Sequence, residues 1–90
     1  MKLTMPVVES GLCEIRADGL EVGSAERLWT GTAGRSVPAY HAELWAGPAH
    51  CDMGRWESPE VADRVSAPTL RELRAELQRR LDVDGKWWQA

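Results

Sequence analysis

The sequence predicts an α+β fold, a small antiparallel sheet of three to five strands packed against one C-terminal helix at about residues 69–83. Three observations point there. Leu70, Leu73, Leu77 and Leu81 form one apolar stripe on a 3.6-residue helix. Asp18-Gly19 stands between two alternating segments, the strongest short hairpin signal, because both central residues of such a turn need positive φ. Val37 to Ala46 alternates with period two, placing Tyr40, Ala42, Leu44 and Ala46 on one face and His41, Glu43 and Trp45 on the other.

In chain order, Lys2 to Val8 reads as a first strand, with Pro6 confining it to an edge or a strand end. Glu9-Ser10-Gly11 reads as a turn. Leu12 to Ala17 then alternates, Cys13, Ile15 and Ala17 against Glu14 and Arg16, and Leu20-Glu21-Val22 returns across the hairpin until Gly23-Ser24 ends it. Ala25 to Thr32 fits a strand or one capped helical turn. Trp29 and Thr30 favour a pleated surface, so Arg27 to Thr30 is assigned to a strand. Thr32 to Ser36 is a turn, and Val37 to Ala46 is the central strand. Ala49 to Gly54 reads as a connecting loop, and Arg55-Trp56-Glu57 as a short strand pairing with the last one. Ser58-Pro59-Glu60 has the form of a helix start, leaving Val61, Ala62 and Val65 for one or two turns.

The C-terminal helix carries its own boundaries. Thr69-Leu70-Arg71-Glu72 is a capping box, in which hydroxyl and carboxylate satisfy each other's backbone N–H groups. Pro68 sits just outside it. Glu76 precedes Arg80 by one turn, a pairing that contributes about 0.3 kcal/mol, and Arg79 and Arg80 are placed in the last turns, where the dipole favours cations. Gly85 supplies the stop. Four leucines need an apolar roof, each contributing roughly 1.5–3 kcal/mol when buried. The roof is the upstream sheet, or a second copy of the helix across a dimer interface.

Ninety residues make a single domain, 1–90, whose small core gains from association. The net charge of −3 comes from scattered acids, neither a nucleic-acid footprint nor a continuous acidic face. No apolar run reaches membrane length and no signal-peptide core follows Lys2, so a cytoplasmic location is expected, with Cys13 and Cys51 reduced. Phe and Asn are absent, and Arg is strongly preferred over Lys. This usage resembles that of small accessory proteins of actinobacteria or of their phages. The order of elements, strands followed by a helix, is similar to that of a HicB-type antitoxin domain, and fold likeness carries no function with it.

Chemistry-bearing residues are few. His41, His50, Cys51, Asp52 and Cys13 are the residue types that bind metal, but three of them are consecutive and none has ligand spacing. No cofactor and no metal is expected. Cys51 beside His50 or His41 lacks a framing oxyanion-type motif, and the glycines have no phosphate-loop spacing. The load of five tryptophans is more informative. Trp29 and Trp56 are assigned to the core. Trp45 faces away from Leu44, so either both sheet faces are covered or Trp45 is exposed. Trp87 and Trp88 are adjacent, which one backbone geometry does not bury equally, and exposed aromatics anchor protein interfaces. Packing of Trp87 onto the helix end is the alternative.

The candidate partner-binding residues are therefore Trp45, Trp87, Trp88, Arg71 and Arg74. The function expected is a non-enzymatic protein–protein interaction module, a small regulatory or phage-borne accessory protein that binds a host protein or itself. A nucleic-acid-binding regulator using the Arg-bearing helix is the first alternative, against a solvated helix face. A small metal-binding or catalytic protein is the second.

Overall fold

The structure is a computed structural model describing residues 2–30, 37–47, 50–52, 54–57 and 60–89; for 30, 37, 50–52 and 55–57 it describes the backbone alone. The sequence-predicted turn at 32–36 and the helix start at 58–59 lie outside the described residues.

The α+β arrangement is present. Strands β1 (Leu3–Thr4), β2 (Val7–Glu9), β3 (Leu12–Ala17), β4 (Leu20–Thr30), β5 (Val37–Trp45) and β8 (Val61–Ala67) make one antiparallel sheet, and helix α1 (Leu70–Asp84) packs on it. The spatial order is β1-β3-β4-β5-β8, with β2 pairing β3 beside β1. β1 and β2 thus share the first position, and Met5-Pro6 breaks them where proline cannot donate to a ladder. The Pro6 carbonyl still accepts from the Glu14 N–H at 2.9 Å. Strands β6 (His50–Asp52) and β7 (Arg55–Glu57) form a separate two-stranded hairpin inserted between β5 and β8, closed at its base by Ala46 N–H donating to the Glu60 carbonyl at 2.8 Å.

The Asp18-Gly19 turn is as read: φ is 50° at Asp18 and 85° at Gly19. The Asp18 carboxylate also accepts from the Lys2 N–H at 2.7 Å, which ties β1 to the turn. Gly23 does not end β4, which runs on for 11 residues. It opposes Ile15 and Leu44 at the point where β4 bulges, and a Cβ there would lie 2.5 Å from the Glu43 carbonyl oxygen. Close approach of two backbones, rather than a break, explains this glycine.

Three further expectations are corrected. His50 to Asp52 is paired strand, not loop, and β7 pairs with it rather than with β5. Val61 to Ala67 is edge strand, not helix, because β5 needs a ladder partner on its free side and β-branched Val61 and Val65 suit one. Arg79 and Arg80 are not in the last turn of α1, because the helix continues through Asp82 to Asp84 before Gly85 takes φ 83°.

The core lies between α1 and one face of the sheet. Leu73 and Leu77 are fully buried against Leu3, Ile15, Val22, Ala42 and Leu44, while Leu70 and Leu81 pack at its margins. Thr69 caps the helix, its hydroxyl accepting from the Glu72 N–H at 3.1 Å; the Glu72 carboxylate accepts from that hydroxyl at 3.2 Å rather than from the Thr69 N–H, so the reciprocal half of the box is replaced by a side-chain bond. Arg74 donates to the Leu3 carbonyl at 3.3 Å and Arg80 pairs with Asp63, so the helix is held at both edges of the sheet.

Candidate interaction surfaces

The five candidate partner-binding residues do not form one surface. Trp88 is 6 % exposed and belongs to the core cluster beyond the end of α1. Trp87 is half-buried; its ring meets Trp88 edge-to-face with centroids 5.1 Å apart, and its indole N–H donates to the Val22 carbonyl at 3.0 Å. Both rings pack against the core, Trp88 within it and Trp87 at its margin. Trp45 is also buried, at 6 %, outside the core cluster and on the opposite side of β5 from Leu44. Both faces of the sheet are thus covered at that end, where the chain leaves β5 for the β6–β7 insertion.

Arg71 and Arg74 are exposed, but Arg74 is engaged with Leu3. Further along the helix, Arg79 meets Glu76 at 2.6 Å, and Arg80 bridges Glu76 and Asp63. Hydrogen bonds from Arg79, above all, hold the Glu76 carboxyl down at about 2, and the bond from Arg80 holds Asp63 below its ordinary value. Arg74 and Arg80 thus tie the helix to the sheet, while Arg79 pairs within the helix.

Cys13 is buried and free, and burial pushes its thiol up from the ordinary value, away from reactivity. Nothing is described of the side chains of His50, Cys51, Asp52 and Trp56. Among the described residues no three His, Cys, Asp or Glu side chains converge as metal ligands, and no helix is long and apolar enough to cross a membrane.

What the sequence reading missed is the far end of β4 and β5. β3 begins its pairing at Leu12 opposite Glu26, and β8 ends its pairing at Ala67 opposite Tyr40. Among the described residues, Leu28 to Thr30 and Val37 to Ala39 pair only with each other, as a two-stranded arm projecting past the sheet. Trp29, assigned to the core, is 65 % exposed on this arm, and Leu28 on the opposite arm face is 43 % exposed. The correction has a topological cause: the neighbouring strands that would cover Trp29 stop short of it. Val7 and Val8, on the edge strand β2, add 68 % and 53 % exposed side chains at the same end of the sheet. The signal available in the sequence was Leu28-Trp29-Thr30 running up to Gly31, a hydrophobic run at a strand end.

The face of the sheet away from α1 is hollowed next to the arm, with a volume of about 380 Å³. Residues from adjacent strands line up across it: Leu12, Glu26, His41 and Ser66 in one row, Ser24, Glu43 and Arg64 in the next. His41 Nδ1 lies 2.7 Å from the Ser66 hydroxyl oxygen, while His41 Nε2 is shut off from solvent without a hydrogen-bond partner among the described residues. No protein family, no curated protein and no solved structure matches the chain.

Proposed function

We propose that the chain is a non-enzymatic protein-interaction module, of the small accessory kind its residue usage resembles, and that it makes contact through the β4–β5 arm. The observation that carries this reading is the joint exposure of Leu28 and Trp29 on opposite faces of one projecting hairpin. Tryptophan is the residue most often found as the energetic centre of a protein interface. Held on a hairpin rather than a loop, it presents a large apolar area at low entropic cost. Val7 and Val8, exposed on the edge strand β2, add apolar surface at the same end of the sheet. Self-association through the arm is the simplest form of the interaction, and a host protein is the other.

The test compares the chain with its Trp29→Ala variant by sedimentation velocity over a concentration series, and by capture of partners from host lysate. Contact through the arm predicts that the variant loses the self-association or the captured partner while its unfolding midpoint is unchanged. A chain that stays monomeric throughout, with wild type and variant capturing the same proteins, overturns the reading.

A further inference from the structure

We infer that the outer edge of β8 is a surface matched to the same edge of a second copy of this chain, and that Asp63 holds it closed. The inference goes beyond the arm reading and does not depend on it. β8 ends the sheet, and among the described residues no strand pairs with its outer side. The direction of its backbone groups follows from the ladders. Arg27 N–H donates to the Gly11 carbonyl, so the Arg27 backbone faces β3 and that of its partner Tyr40 faces β8. Ala42 and Leu44 repeat this with period two and meet Val65 and Asp63. Arg64 and Ser66, at the intervening positions, therefore turn their N–H and C=O groups outward. That row of groups is a template for a further strand.

One of the two donors is already taken. Asp63 Oδ1 accepts from the Arg64 N–H at 2.8 Å, while Oδ2 accepts from Arg80 on α1. The bond from Arg80, then the one from the Arg64 N–H, hold the carboxyl below its ordinary value, so it stays an ionised acceptor at neutral pH. A carbonyl arriving on an added strand finds the Arg64 N–H occupied and meets a negative charge beside it. Charged side chains placed in this way are a means by which edge strands avoid pairing. The charges along β8 also select the copy's register. A two-fold axis through Asp63 or Arg64 would set like charges directly opposite one another, which destabilises a pair. An axis through Val65 sets Arg64 of each copy opposite Ser66 of the other and Asp63 opposite Ala67, with no two charges facing. In that register each Arg64–Ser66 pair exchanges both of its backbone bonds, provided the Arg64 N–H is released.

The test is sedimentation velocity of the full chain over a concentration series, comparing wild type with Asp63→Ala and Arg80→Ala. Both variants lose the ion pair between helix and sheet, but only Asp63→Ala uncovers the Arg64 N–H. Asp63→Ala is expected to tighten self-association about tenfold or more, the effect of freeing a donor from a charge-assisted bond in each copy. Arg80→Ala is expected to behave as wild type. Ser66→Pro removes the other outward donor at an exposed edge position, where proline is tolerated, and added to Asp63→Ala it is expected to abolish the gain. At a dilution where every variant is monomeric, amide exchange followed by NMR is expected to quicken about tenfold at Arg64 in Asp63→Ala alone. The inference is overturned by an Asp63→Ala chain that associates no more than wild type, by Arg80→Ala associating equally, or by a gain that survives Ser66→Pro. Trp29→Ala added to Asp63→Ala is expected to leave the gain in place, which keeps this result apart from the fate of the arm; loss of the gain there would move the contact to the arm and overturn the inference as well.

Discussion

The indole N–H of Trp87 donates to the carbonyl of Val22, a residue left without a partner in the register of either neighbouring strand. The bulge in β4 and the segment after α1 thus complete one another. Val22 is turned into the core, its carbonyl is met from the far end of the chain, and Trp88 is drawn in beside it. Trp87→Phe keeps the ring and removes the donor. It is expected to cost about 1 kcal/mol, as a lower urea midpoint with an unchanged slope. Trp88→Ala empties part of the core and is expected to cost about 3–5 kcal/mol in the same assay.

Gly23 and Gly47 separate the two meanings of glycine in a strand-rich chain. Alanine at 23 places its Cβ against the Glu43 backbone, which must move, and a loss of about 1–3 kcal/mol is expected. At Gly47 the added methyl meets nothing within 4 Å among the described residues, and a change within about 0.5 kcal/mol is expected. Urea denaturation of both variants checks the contrast.

The carboxylates that fasten α1 set an acid dependence. Asp63 and Glu76 are both held below their ordinary values when folded, so each favours the native state while ionised. That contribution is complete above the unfolded carboxylate range, near ~4, and is lost as pH falls through the folded values, about 2 for Glu76. Stability is therefore expected to fall from about pH 4.5 downward. Asp63→Asn and Glu76→Gln should flatten the slope of denaturant midpoint against pH, and added salt should weaken the effect, because Asp63 is exposed and Glu76 partly so.

Within the leucine stripe the four positions are not equal. Leu73 and Leu77 are fully buried and Leu70 and Leu81 only partly so. Leu77→Ala is expected to cost about 2–5 kcal/mol and Leu81→Ala clearly less, read from thermal or urea unfolding.

The elements that were legible in the sequence are those fixed by neighbours along the chain. The Asp18-Gly19 turn and the Thr69 cap need only a few adjacent residues to declare themselves. β8 was not legible, since Val61, Ala62 and Val65 sit at spacings that suit a helix turn as well as a strand, and the deciding factor is the unpaired side of β5. Which tryptophans stand exposed was not legible for the same reason. Whether a tryptophan is covered depends on where distant strands stop, which put Trp29 outside and Trp88 inside. The row that joins Glu26, His41 and Ser66 is a product of register across β4, β5 and β8, invisible until all three ladders are known.

The position of Trp88 in the chain bears on synthesis. A ribosome makes every strand before α1 and the tryptophan pair, at about 5–20 residues per second. Until α1 and Trp88 emerge, Ile15, Val22 and Leu44 lie on a sheet face that neither covers. The sheet face therefore stays open from the synthesis of β8 until α1 and Trp88 dock on it, and that docking is what closes the core.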